Sequence, residues 1–259
     1  GALYSNTIGQ NNTALGYQSL YNSTNAQYNA AVGYQSLFNN TTGDYNAAVG
    51  YQSLYSNTTG AYNTGIGHQA IYSNTIGTGN SALGYLALKF NTSGFNNTAI
   101  GNQALRDLTT GNNNIAVGNA AMASHLSGAG NVAVGPGALQ SGAAPLNNVA
   151  IGYQALNAAT GNNNTALGYQ AMRTSTSGAS NVAVGAQSLY AADGTNYNTA
   201  VGYQTLYYNT TGDTNTAVGY KAMFSNTTGT NAIAIGHQAL YYTDQTQYNL
   251  GIGYRALYN

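Results

Sequence analysis

The sequence predicts an all-β fold, a parallel β-solenoid of about fifteen coils with 17 residues in each. The first observation is the recurring phrase A-[V/I/L]-G, whose glycine returns fifteen times in 259 residues, with thirteen of the fourteen intervals equal to 17 and Gly in place of Ala in two coils. The second is that a 17-residue unit is too short for a helical hairpin and lacks apolar residues at helical spacing. Residues 1–259 are therefore predicted to form one repetitive domain.

Each coil can be numbered from the glycine of this phrase, which we call the anchor glycine and place at position 0. The residues at one position in successive coils form a column. The anchor column is Gly16, Gly33, Gly50, Gly67, Gly84, Gly101, Gly118, Gly135, Gly152, Gly168, Gly185, Gly202, Gly219, Gly236 and Gly253. Two short strands per coil are predicted, in segments such as NTAVG and YQSLY, with a polar turn such as NNTTGD between them.

Four columns are predicted to form the core. Position −1 is always Val, Ile or Leu, and position −2 is Ala except at Gly65 and Gly251. Position +3 is always Ala, Ser or Thr, and position +4 is always Leu, Ile or Met. Since neighbours in a strand point to opposite faces, we expect the aliphatic −1 side chains inside the coil and the small −2 face on its outside, buried against a second chain that approaches it closely. This arrangement predicts a homo-oligomer.

The column at position −4 is predicted to be a structural ladder of asparagines. It holds Asn in fourteen of fifteen coils, and Ala232 is the exception. Stacked Asn side chains can hydrogen-bond along a parallel array, and Asn suits turns. The ladder includes Asn12, Asn29, Asn46, Asn63, Asn198 and Asn215.

The composition excludes several classes of function. Five basic and five acidic residues give no basic surface for nucleic acid or for an anionic membrane. Cysteine is absent, and no apolar run approaches the roughly 18 residues of a membrane span. We expect no cofactor, no nucleic-acid partner and no membrane insertion. Because the chain opens in mid-pattern with GALYSNTIG, we expect it to be a fragment of a longer fibrous protein.

Catalytic and metal-binding interpretations are disfavoured by spacing. His68 and His237 share a column but lie ten coils apart. Asp193 and Asp244 lie three coils apart, about 14 Å at the spacing of strands, and the chain contains no Glu. No pair of carboxylates is therefore predicted to act as general acid and base on a glycosidic bond, and we expect no enzyme activity.

Ten N-x-S/T sequons leave glycosylation open. Asn and Thr are also what turns require, so turn chemistry is the favoured explanation. The sequons are at Asn11, Asn22, Asn39, Asn40, Asn57, Asn91, Asn96, Asn163, Asn209 and Asn226.

Aromatic residues recur in two columns and are the candidates for binding a surface. Position +1 is Tyr in nine of fifteen coils, and position +5 is aromatic near both ends of the chain. Rings stacked between coils would stabilise the sheet, whereas a sugar or a partner protein could also stack on them, with the Gln column at position +2 supplying hydrogen bonds. The candidate residues are Tyr17, Tyr34, Tyr51, Tyr203 and Tyr220 at +1, and Tyr21, Tyr55, Tyr207 and Tyr241 at +5.

The repeats of the NTAVGYQSL type resemble the head repeats of trimeric autotransporter adhesins, and similar runs occur in phage tail-fibre shafts. The resemblance covers essentially the whole chain. It implies a left-handed β-roll, a homotrimer, an extracellular location on a bacterial cell or virion, and binding to a host-surface protein or glycan. The coiled-coil stalk, the neck and the membrane anchor of a full adhesin are not in this sequence, nor is the chaperone domain of many tail fibres.

Three functions follow as hypotheses. The favoured one is a structural and adhesive rod of a bacterial or phage fibre. A monomeric solenoid that binds an ordered surface such as ice needs a flat Thr array, but position −3 holds Thr in only six coils. A solenoid that cleaves polysaccharide is least favoured, because no pair of carboxylates is expected; a glycan-binding shaft remains open.

Overall fold

The computed structural model describes residues 1–244 and 247–259, and these form a parallel β-solenoid with no helix among them. The chain divides into two compact units, residues 1–130 and 131–259. The first unit contains β1 (Thr13–Leu15), β2 (Ala30–Val32), β3 (Ala47–Val49), β4 (Thr64–Ile66), β5 (Ser81–Leu83), β6 (Thr98–Ile100) and β7 (Ile115–Val117). The second contains β8 (Val132–Val134), β9 (Val149–Ile151), β10 (Thr165–Leu167), β11 (Val182–Val184), β12 (Thr199–Val201), β13 (Thr216–Val218), β14 (Ile233–Ile235) and β15 (Leu250–Ile252).

Successive strands within each unit pair in parallel and in register. In the first unit Ala31 is opposite Ala48, and in the second Ala200 is opposite Ala217. The single 16-residue interval keeps the register too, because Ala150 lies opposite Ala166. The predicted parallel β-solenoid with a 17-residue repeat is thereby confirmed.

The second strand predicted in each coil is wrong, because YQSLY segments form turns. The residues at +2 and +4 have left-handed backbones, as at Gln18 (φ 54°) and Leu20 (φ 48°). A left-handed backbone conformation costs roughly 1–2 kcal/mol at a residue other than glycine. Main-chain hydrogen bonds to the next coil offset this cost, as when Leu20 N–H donates to Ser36 O at 3.0 Å, and so does the complete burial of the Leu20 side chain.

The predicted orientation of the remaining strand is also wrong. The −2 residues are buried in every coil except the first, whereas no −1 residue is buried. The interior therefore consists of small residues at −2 and +3 together with Leu, Ile or Met at +4, apart from the last coil. The sequence predicts the aliphatic −1 side chains inside the coil, but they lie on its outer face. It predicts the small −2 residues on the outside, but they lie inside.

The reason is the narrowness of the coil. At Gly65, which occupies position −2, an added Cβ atom would lie 2.6 Å from Ser53 Oγ and 3.4 Å from Leu54 Cγ. Ser53 belongs to the +3 column and Leu54 to the +4 column of the preceding coil. The +4 side chain thus fills the space across from the strand, and a branched side chain at −2 would overpack it.

The anchor glycine is required by the contact between coils. Gly33 has φ 129°, and an added Cβ atom would lie 2.4 Å from the carbonyl oxygen of Gly50. Both the backbone conformation and the close approach exclude a side chain. This explains why the column is glycine in every coil.

Candidate interaction surfaces

The aliphatic −1 column forms an apolar stripe on the outer face of each unit. In the first unit, Ile66, Leu83 and Ile100 are all exposed and lie in successive strands. They line a shallow cavity of about 220 Å³ together with Ser81 and Thr64. A row of exposed aliphatic side chains on a regular sheet is a surface suited to association. The sequence predicted the wrong face for this role.

The asparagines at −4 connect successive coils through their side chains. Asn46 N–H donates to Asn29 Oδ1 at 2.8 Å, and Asn63 N–H donates to Asn46 Oδ1 at 2.9 Å. The Asn46 Nδ2 group donates to the carbonyl oxygen of Gly60 at 2.8 Å. The same contacts occur in the second unit at Asn198 and around Asn215. The amides of Asn29, Asn46, Asn198 and Asn215 thus satisfy main-chain groups that would otherwise be buried without a partner.

A second buried asparagine ladder, at position +7, was not predicted. Asn57 Nδ2 donates to Asn40 Oδ1 at 2.7 Å, and Asn226 Nδ2 donates to Asn209 Oδ1 at 2.8 Å. These four asparagines and Asn91 begin five of the ten sequons, and all five are fully buried. The five are therefore inaccessible to a glycosyltransferase once the coils have formed. The 17-residue spacing of Asn in NTTG turns is the signal that identifies this ladder in the sequence.

The aromatic +1 and +5 columns form stacks of nearly parallel rings. Tyr34 and Tyr51 at +1 have ring centroids 5.3 Å apart, with planes 6° from parallel. At +5, the corresponding values for Tyr190 and Tyr207 are 4.9 Å and 4°. The other predicted residues stack in the same way: Tyr17 on Tyr34, Tyr203 on Tyr220, Tyr21 on Phe38, Phe38 on Tyr55, and Phe224 on Tyr241.

This stacking determines which part of each ring a ligand can reach. A ring with neighbours above and below has both faces covered and presents its edge and its hydroxyl group to solvent. A sugar stacks on the face of an aromatic ring, so the interior of a stack does not offer that contact. A ring has an open face where its stack is interrupted or ends.

The +2 column lies between the two aromatic columns. The Gln side chains form a ladder, in which Gln35 Nε2 donates to Gln18 Oε1 at 2.8 Å. Where Lys221 replaces Gln, its Nζ atom lies 5.5 Å from the ring centroid of Tyr220 at +1 and 4.9 Å from that of Phe224 at +5. The amide donors of the ladder are therefore largely engaged between coils.

His68, Asp44 and the pair of Arg106 with Asp107 lie in separate coils. His68 stacks on Tyr51 in the +1 column at 5.0 Å, so it replaces a tyrosine ring. Asp44 Oδ1 accepts a hydrogen bond from Gln27 N–H at 2.7 Å. Arg106 pairs with Asp107 at 2.6 Å, and this hydrogen bonding raises the pKa of the guanidinium above its ordinary value. Within residues 1–244 and 247–259, no group of three or more His, Cys, Asp or Glu side chains is placed to hold a metal ion.

Two tyrosines of the +5 column have a raised pKa. Burial is the main cause for Tyr72, followed by the neighbouring hydroxyls of Tyr55 and Tyr51. Burial is again the main cause for Tyr207, where Tyr190 is the largest of the neighbouring contributions.

A third aromatic column, at position −5, was not predicted. Tyr28, Tyr45 and Tyr62 have left-handed backbones with φ of 57–59°. Their rings stack at 5.0 and 5.1 Å, with planes 3° from parallel. The column continues with Gly79 and Asn96, so Tyr62 has no ring beyond it.

Comparison with known proteins gives no relative: no family model, no curated protein and no solved structure matches this chain. Residues 1–244 and 247–259 contain no membrane-spanning helix.

Proposed function

We propose that this chain is a non-enzymatic structural and adhesive segment of an extracellular fibre, on a bacterial cell or a virion, and that it acts as a homotrimer. The observation that carries the proposal is the exposed aliphatic column at position −1. The chains join through this column, and the aromatic and polar turn columns remain outside to attach to a host-surface protein or glycan.

The aliphatic column supports self-association on energetic grounds. Burying the exposed part of one such side chain contributes about 0.5–1 kcal/mol. Association costs about 4–15 kcal/mol in lost translational and rotational freedom. This cost is offset only if most side chains of the −1 column are buried in the interface. Fifteen strands each provide one Val, Ile or Leu at this position. A second copy of the chain has a surface of the same period and the same chemistry, which makes it the best-matched partner.

The scarcity of charge supports a fibre as well. Like charges repeated in one column would repel each other at a spacing of about 4.8 Å. Lys89 and Arg106 occupy consecutive coils of the +5 column. The Lys89 ammonium lies 4.9 Å from the ring centroid of Phe90, while Arg106 pairs with Asp107. Neutral columns allow a coil to be repeated many times, and length is what a fibre requires.

A monomer that binds an ordered surface such as ice is the second candidate. Position +8 holds Thr in ten coils, more than the six at position −3. However, Thr41 Oγ1 donates to Thr58 O at 3.0 Å, and Thr58 Oγ1 donates to Thr75 O at 2.9 Å. Because these hydroxyl donors are engaged between coils, the aliphatic column is the stronger argument. Activity in a thermal hysteresis assay would favour this candidate.

The test is the solution mass of the chain by light scattering, combined with charge substitutions on the aliphatic column. We expect the mass of three chains, and we expect Ile66→Lys with Ile100→Lys to shift it toward one chain. Thr110→Lys with Thr24→Lys is the matched control, because both residues are exposed outside the strands. A one-chain mass for the unsubstituted protein would contradict the proposal.

A further inference from the structure

The −5 aromatic column contains a gap at Gly79. Gly79 has φ 67°, close to the 59° of Tyr62, and its N–H donates to Ala61 O at 3.0 Å. Tyr62 N–H makes the equivalent bond to Asp44 O at 3.0 Å. The main chain therefore follows the same path in both coils, and only the ring is missing at Gly79.

One wall of this gap is an open aromatic face. Tyr62 is 64% exposed as a residue, whereas Tyr28 and Tyr45 in the same stack are each 49% exposed. Tyr45 covers one face of Tyr62, and the other face points along the column toward the coil of Gly79. Stacked rings in this column are about 5 Å apart, so one ring can stack on the uncovered face of Tyr62, on the side of the Gly79 coil.

The other wall is an amide. An added Cβ atom on Gly79 would lie 2.5 Å from Asn96 Oδ1, so this oxygen stands at the base of the gap. The Asn96 Nδ2 group makes a long contact of 3.4 Å with Asn113 Oδ1. Asn96 is exposed, and its carbonyl oxygen accepts no hydrogen bond from the described residues. Asn96 therefore supplies an acceptor beside an aromatic platform.

We infer that the Gly79 gap, formed by Tyr62, Gly79 and Asn96, binds one pyranose ring of a glycan. A pyranose has an apolar C–H face that stacks on an aromatic ring and hydroxyl groups that hydrogen-bond to an amide. A site for an aromatic side chain of a partner protein would be expected to have a second ring as its other wall. Here the other wall is the polar side chain of Asn96, which favours a sugar. The site has no charged group of its own, as expected for a neutral sugar. This inference rests on the proposed attachment function and names the ligand of one site.

The test uses the full chain with methyl β-D-glucopyranoside and methyl β-D-galactopyranoside as probes, observed by saturation-transfer NMR. We expect at least one of them to bind through its C–H face. Gly79→Tyr puts a tyrosine ring on Tyr62 and makes the Asn96 side chain move away from the added Cβ atom, and we expect binding about tenfold weaker or lost. Asn96→Ala should weaken it by about threefold to tenfold. Asn11→Tyr is the matched control, since it extends the same column at φ 57° but leaves the gap open.

The outcomes separate this inference from the proposed function. Equal glycoside binding by Gly79→Tyr, loss of binding in Asn11→Tyr, or no binding of either glycoside would overturn it. Binding of N-acetyltyrosinamide in place of the glycosides would also overturn it and would indicate an aromatic side chain as the ligand. The mass of the chain is measured on the same samples, so a three-chain mass without glycoside binding refutes only the Gly79 site.

Discussion

Ala48 and Val49 are adjacent in β3, yet Ala48 is fully buried while 41% of Val49 is exposed. The smaller residue faces the interior because the coil is narrow, and the larger one faces outward.

Enlarging the inner residue should destabilise the fold more than trimming the outer one. Ala48→Val overpacks the interior, and we expect the free energy of unfolding to fall by about 1–3 kcal/mol. Val49→Ala should change it by less than about 1 kcal/mol in a single chain, because the side chain is half exposed. Urea denaturation under conditions that keep the chain monomeric measures both, and the reverse order would contradict the observed orientation of the strand.

The buried asparagine ladder should be sensitive to removal of one amide. Asn63 Oδ1 accepts from Asn80 N–H at 3.0 Å, and Asn63 Nδ2 donates to Gly77 O at 2.8 Å. Asn63→Ala leaves both groups buried without these bonds, which should cost about 2–4 kcal/mol of unfolding free energy. The control is Asn25→Ala in an exposed turn, expected within about 0.5 kcal/mol of the unsubstituted chain. Equal effects of the two substitutions would refute a structural role for the ladder.

An anchor glycine should tolerate no side chain. At Gly219 an added Cβ atom would lie 2.3 Å from Gly236 O, so Gly219→Ala should destabilise the chain by about 2–4 kcal/mol. Gly194→Ala is the control that separates the cost of this steric contact from the cost of backbone strain. Gly194 also has a positive φ, 74°, but its added Cβ atom would meet only Ser177 Oγ, at 3.6 Å. We expect a cost of about 1 kcal/mol there. Thermal and urea unfolding of both variants provide the measurement; a similar cost for each would leave strain alone as the explanation.

Stability should fall at high pH through the stacked tyrosines. The pKa values of Tyr72 and Tyr207 are raised above the ordinary value of 10.0, mainly by burial, so the folded state holds these protons more tightly than the unfolded state. Their contribution is therefore fully present below about pH 10 and is lost as the pH rises through the raised pKa values.

The measurement is urea denaturation from about pH 9 to about pH 11. The double variant Tyr72→Phe with Tyr207→Phe should lose less stability over this range than the unsubstituted chain. Phenylalanine already occupies the column at Phe38 and Phe224, so the variant is expected to fold. An identical pH dependence would show that these two hydroxyls are not responsible.

The period of the sequence determined the architecture by itself. One glycine every 17 residues, with Asn at −4 and Leu, Ile or Met at +4, is enough to predict stacked coils, because each column packs only against copies of itself. The same property made the ring stacks of the +1 and +5 columns predictable from Tyr17, Tyr34, Tyr21 and their repeats.

The tertiary structure alone decided which side of each column faces inward. Alternation along a strand assigns Ala48 and Val49 to opposite faces but does not say which face is inside. Which face lies inside depends on the space that Leu54 and Ser53 leave across the coil. This space is set by the left-handed turns at +2 and +4. The sequence does not indicate these turns, because most of the residues at these positions are not glycine. The gap beside Tyr62 could not be predicted from the sequence either. It arises because Gly79 has no side chain, and Tyr62 and Asn96 become its walls only when the coils stack.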